Sequence, residues 1–109
     1  MGRQLGNRPA FPLANSNLMN LKWTEKAVSD LGRLYDFLAP VNRPAALRAV
    51  QALSAVPIRL LENPRVGERL EEFEPREVRR ILVGKYEMRY ELKGSTVLIL
   101  RLWHSREDR

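Results

Sequence analysis

Near Val78 the apolar residues of this chain stop recurring at every third and fourth position and begin to alternate. No single element accommodates both periods, because a three-and-four spacing makes one stripe of a helix and a spacing of two makes one face of a strand. The change divides the chain into a helical part that comes first and a sheet part that follows. Ala27, Val28, Leu31, Leu34, Tyr35 and Leu38 carry the helical spacing, as do Leu47, Val50, Leu53, Val56, Leu60 and Leu61. After the change, Tyr86, Met88, Tyr90 and Leu92 alternate with Glu87, Arg89, Glu91 and Lys93.

Local signals set the boundaries. Thr24 is a good N-cap for a helix over about 24–38, Glu25 suits the helix dipole, and Pro40 ends the helix. Asn42 and Pro44 open a second helix over about 43–62, and Pro57 inside it predicts a kink or a split. The short connection predicts an antiparallel helical hairpin. Leu21-Lys22-Trp23 reads as a short edge strand, and Asn63-Pro64-Arg65-Val66-Gly67 as a turn. Residues 68–76 are acidic and contain Pro75, which makes a loop with room for a short helix. Val78 to Val83 is a strand, Gly84-Lys85 a tight turn, and Tyr86 to Leu92 a half-buried strand with a polar face. After a hairpin turn at Lys93-Gly94-Ser95, Thr96 to Trp103 is apolar apart from Arg101 and reads as a central strand buried on both faces. The order β-α-α-β-β-β makes an α+β domain, with the helical hairpin on one face of a small, mainly antiparallel sheet. Residues 1–18 hold two Gly, two Pro and three Asn without either period. They read as a flexible N-terminal extension to a single domain over 19–109.

Composition narrows the chemistry. The chain has no cysteine and one histidine, His104. A disulfide framework, a thiolate metal site and a multi-histidine centre are excluded, so neither a metal nor a cofactor is expected. No apolar run is long enough for a membrane helix, and no membrane partner is expected. Fifteen of the nineteen basic residues are arginine and the net charge is +6, which points to an anionic partner. The charge is unevenly placed: 62–77 carries six acidic and three basic groups, and 78–109 eight basic and four acidic.

His104 is the one side chain whose ordinary pKa lies near neutrality. Metal-free cleavage of a phosphodiester by its own 2′-hydroxyl needs a base, an acid and cations for the charged transition state. His104 with Arg80 and Arg106 would supply such a site. Arg79, Arg80, Arg89, Arg101 and Arg106, with Tyr86 as a stacking ring, form the wider candidate surface for a nucleic acid or another target. A plainer reading competes with each. His104 can cap the end of an apolar strand, and Tyr86, Met88 and Tyr90 can be a core stripe. Arg79 and Arg80 point to opposite faces, Glu25 and Asp30 belong to a helix surface, and Gly84 and Gly94 serve turns.

Three segments carry a resemblance: Leu-Glu-Asn-Pro-Arg-Val-Gly at 61–67, Val-Arg-Arg-Ile-Leu-Val-Gly-Lys-Tyr-Glu-Met-Arg-Tyr at 78–90, and Ile-Leu-Arg-Leu-Trp-His-Ser-Arg-Glu-Asp at 99–108. In this order and spacing the chain resembles the RelE/ParE superfamily of type II toxin–antitoxin toxins. The resemblance implies a bacterial or archaeal cytoplasmic growth inhibitor, neutralised by a cognate antitoxin that folds on binding. Leu31, Leu34, Tyr35 and Leu38 are the candidate antitoxin contacts. RelE-like members cut mRNA on the ribosome, and ParE-like members poison DNA gyrase without known catalysis. Arg80 and Arg106 fall at basic positions of the nucleases. Val78 stands where a lysine is expected, Glu87 where an arginine is expected, and no tyrosine follows Arg106. His104 matches the histidine of the YoeB-like variant, but Ser105 replaces its tyrosine. The Val-Gly-x-Tyr turn and His-x-Arg ending are ParE-like. The resemblance thus favours the ParE-like branch of plasmid stabilisation systems, with DNA gyrase as target. A ribosome-dependent mRNA endonuclease and a non-toxic antitoxin-binding module of the same fold are the alternatives.

Overall fold

The computed structural model describes residues 19–107, so the expected extension at 1–18 lies outside the described residues. Strand β1 (Asn20–Trp23) leads to helices α1 (Glu25–Leu38) and α2 (Arg43–Glu62). Strands β2 (Glu68–Arg69), β3 (Glu77–Val83), β4 (Tyr86–Lys93) and β5 (Thr96–His104) follow, with a 3-10 turn at Glu71–Phe73. The sheet order is β1-β5-β4-β3-β2. β1 runs parallel to β5 and the other pairs are antiparallel.

Both helix starts follow from their capping side chains. Thr24 Oγ1 accepts from Ala27 N at 3.0 Å, and Asn42 Oδ1 from Ala45 N at 3.0 Å. These bonds satisfy amides that the first helical turn leaves without partners. α2 continues through Pro57 as one element, so the expected split does not occur. The proline ring is fully buried, and that burial offsets its missing hydrogen bond.

The core lies between the helices and one face of the sheet. Ala27, Leu34, Leu53, Val56 and Leu60 meet Met88, Tyr90, Val97, Ile99 and Leu102 there. Tyr90 shows why a polar ring fits this core: its hydroxyl donates to Pro64 O at 2.7 Å and accepts from Gly67 N at 3.0 Å. The same approach explains Gly67. A Cβ there would lie 2.6 Å from Arg80 O and 2.7 Å from the Tyr90 hydroxyl.

Three expectations change. The loop expected at 68–76 does carry a short helix, a 3-10 turn at Glu71–Phe73, but it opens with an unexpected two-residue strand. The polar side of β4 is buried rather than solvated, with Glu87 4% and Glu91 7% exposed. Segment 68–76 covers that face: Phe73 lies against Arg89, and Arg76 pairs with Glu91 at 2.8 Å. Finally, β5 is not uniformly buried. Its register slips at Leu100, so that Ile99 faces Tyr90 while Arg101 faces Arg89. The extra residue restarts the alternation and sends Arg101 and Trp103 to the face opposite the core.

Candidate functional site

The slip in β5 aligns three arginines. Arg80 on β3 is opposite Arg89 on β4, and Arg89 is opposite Arg101 on β5. All three lie on the sheet face away from the helices, with Glu68 of β2 extending the row beyond Arg80. Like charges directly opposed across strands repel. Here carboxylates of the chain itself neutralise each one. Arg80 Nε donates to Glu68 Oε1 at 2.8 Å, and its guanidinium lies 3.9 Å from Glu87. Arg89 pairs with Glu87 at 3.1 Å, and Arg101 with Asp30 at 2.8 Å. Aromatic rings fill the spaces. The Arg89 guanidinium sits 5.5 Å from the Phe73 ring and 4.7 Å from Trp103, and that of Arg101 sits 5.1 Å from Trp103. Hydrogen bonding to Glu68 raises the pKa of Arg80 above the ordinary arginine value.

The other candidates lie elsewhere. Arg79 is on the helix-side face, where it pairs with Glu77 at 2.9 Å and donates to Gly67 O at 2.7 Å. It braces the turn beneath Tyr90. His104 also lies on the helix-side face, opposite Tyr86 at the end of β5. Its ring makes an edge contact with Tyr86 at 5.1 Å and a tilted contact with Phe37 at 5.9 Å. Its Nδ1 accepts from Arg106 N at 3.0 Å, and it is 7% exposed. The Arg106 side chain is exposed, and among the described residues no ion pair engages it. His104 and the arginine row are therefore on opposite faces of the sheet, and Arg106 lies past the strand end. The trio expected of a nuclease is not assembled.

Asp30, expected on the helix surface, is instead buried. It is 3% exposed and meets the outer edge of β5 where β1 has ended. There it accepts from Leu102 N at 2.9 Å, from Arg101, and from Arg33. Arg33 in turn donates to Leu102 O at 3.0 Å and holds Glu107 at 2.9 and 3.0 Å. Glu107 accepts from His104 N at 2.9 Å. Side chains thus replace the strand that would otherwise satisfy this edge. Burial alone would raise the Asp30 carboxyl, but bonds from Arg101, Leu102 N and Arg33 bring it below the ordinary aspartate value. Arg33 lowers Glu107 in the same way.

Of the candidate antitoxin contacts, Leu34 is wholly buried and offers no surface to a partner. Leu31 packs against the core and is half-buried, as are Tyr35 and Leu38. A different apolar surface is open. A groove of about 320 Å³ lies between α2 and β3, lined by Val56, Arg59, Leu60, Val66 and Ile81 among others. Beside it, β2 pairs with β3 only at Arg79 and Arg80, so no strand among the described residues pairs with the outer edge from Ile81 to Val83. Sequence reasoning missed this groove because Val66 stands in a turn rather than in either periodic pattern.

Among the described residues, no helix is long and apolar enough to cross a membrane, and no three His, Asp or Glu side chains are grouped to hold a metal. The family model for the ParE toxin of the type II toxin–antitoxin system ParDE matches residues 21–109. A chain in the solved chromosomal ParDE toxin–antitoxin system from P. aeruginosa is 30% identical, with a TM-score of 0.70 over 82% of this chain and 98% of that one. A chain in the RelBE2 toxin–antitoxin complex from Mycobacterium tuberculosis is 25% identical, with a TM-score of 0.62 over 80% of this chain and 98% of that one. No curated protein matches the sequence.

Proposed function

The chain belongs to the ParE toxin family of type II toxin–antitoxin systems, and from that premise we propose that it arrests growth by binding and blocking DNA gyrase. A cognate antitoxin holds it inactive. The observation that supports gyrase over the ribosome is the separation of the nuclease candidates. His104 is packed on one face of the sheet, while Arg80, Arg89 and Arg101 are on the other and already paired with carboxylates. A metal-free nuclease needs its base and its phosphate clamp around one scissile bond. This arrangement presents a surface for binding rather than a reaction centre, with Arg106 as one exposed cation among the described residues at its end.

The groove between α2 and β3 suits the antitoxin. An extended segment with alternating apolar side chains can add a strand along Ile81–Val83 and place those side chains against Val66 and the open part of Ile81. An acidic residue in such a segment would meet Arg59. Leu31, Tyr35 and Leu38 offer at most their exposed margins to the same partner.

Pulse-labelling after induction tests the target. Gyrase poisoning predicts that DNA synthesis falls first while protein synthesis continues. An immediate loss of protein synthesis with cleaved mRNA would reverse the choice.

A further inference from the structure

We propose that Glu68 and Glu87 mask a site for a single-stranded phosphodiester backbone on the sheet face away from the helices. Arg80, Arg89 and Arg101 stand side by side on three neighbouring strands, at steps of about 5 Å. Phe73 and Trp103 alternate with the guanidiniums of Arg89 and Arg101. Trp103 is only 8% exposed and lies against these guanidiniums, so what the row offers a flexible single strand is cations for its phosphates rather than Trp103 as a stacking ring. The row retains unused capacity, since Arg89 Nε is buried without an acceptor.

In this chain, carboxylates occupy the positions that phosphates would take. Glu68 Oε1 is 2.8 Å from Arg80, and Glu87 lies between Arg80 and Arg89 at 3.9 and 3.1 Å. A phosphate arriving at the row meets guanidiniums whose charge is already balanced by carboxylates, so it is little neutralised and releases few of the cations condensed on its own strand. It must also approach two fixed negative charges. The mask therefore reduces the favourable counterion-release term and adds repulsion. It accounts for a chain of net charge +6 whose most regular arginine row faces inward on its own acids. Whichever target the chain poisons, the mask concerns only this face.

Fluorescence anisotropy with labelled oligo(U) and oligo(dT), over a series of salt concentrations, tests the mask on the full chain freed from antitoxin. Glu68 has an exposed side chain, so E68Q unmasks Arg80 without a cost to the core. E68Q is expected to bind about fivefold more tightly than wild type at 0.1 M salt, with a log–log salt slope steeper by about 0.7. E68Q/E87Q, which also releases Arg89, is expected to double that change in slope. E68Q/R80Q should return to wild-type binding, and E25Q, which makes the same charge change on α1, should stay at wild type. Equal gains with both probes assign binding to the backbone, and a larger gain with oligo(U) adds a contact to the 2′-hydroxyl. A folded E68Q with the wild-type slope would overturn the proposal, as would a gain that survives in E68Q/R80Q or appears in E25Q.

Discussion

Glu87, Asp30 and Gly67 each do something that their neighbours in sequence do not announce. Glu87 stands on a strand with a regular alternation, and that alternation alone describes a solvated polar face. Its burial depends on a cover supplied by residues 68–76 and on two arginines brought from β3 and β4. Asp30 is placed by helical spacing near the buried stripe of α1, yet two of its three partners, Arg101 and Leu102, are more than seventy residues away. Asp30→Ala leaves Arg101, Arg33 and Leu102 N without their shared acceptor and should cost about 2–3 kcal/mol at neutral pH. Because the folded pKa of Asp30 is lowered, its contribution is complete above the ordinary aspartate value and is lost as pH falls through the folded value. Urea denaturation should show wild type and variant converging below about pH 4. A constant difference at every pH would contradict this. Gly67→Ala should cost about 2 kcal/mol or more, since the added carbon meets backbone and a buried hydroxyl. His104→Ala removes ring packing and the hydrogen bond that Nδ1 accepts from Arg106 N, so it should lower the thermal midpoint while growth inhibition persists. Abolished toxicity in a folded variant would return His104 to a catalytic role.

Among the elements, those governed by local rules were legible. The helical hairpin followed from apolar spacing with Thr24 and Asn42 as caps, and the hairpin turns followed from Gly84 and Gly94. The short edge strand at 20–23 was legible from alternation. Its partner was not, because parallel pairing with β5 is a long-range fact. The slip at Leu100 was also hidden. The run Leu98 to Leu102 is apolar around Arg101, so sequence alternation gives no point at which the register must break. That slip decides which face Arg101 occupies and so creates the arginine row. Candidate site residues were therefore legible by type but not by arrangement: Arg80, Arg89 and Arg101 come together, whereas His104, Arg79 and Arg106 do not join them. The groove between α2 and β3 belongs to the same scale. Val66→Glu on its rim, at a position 54% exposed, should leave the fold intact and weaken antitoxin binding by about tenfold or more. Calorimetry with the purified antitoxin checks this, and unchanged affinity would remove the groove from the interface.

At the level of the whole molecule, a basic chain of this size has two ways to use its arginines. It can present them to an anionic target, or it can spend them inside the fold. Here the sheet arginines hold Glu68, Glu87 and Asp30, Arg33 holds Glu107, and Arg65 and Arg79 hold Glu77. The net charge thus overstates the cation surface available on the sheet. This internal pairing favours a ParE-like protein that works by surface complementarity. It also fits residence in complex with an antitoxin, which would cover the apolar groove. The most direct measurement adds the purified chain, freed from antitoxin, to gyrase supercoiling reactions and to translating ribosomes in parallel. Lost supercoiling with trapped cleaved DNA and intact mRNA is the outcome expected of a gyrase poison. Codon-phased mRNA cuts with normal supercoiling would contradict it.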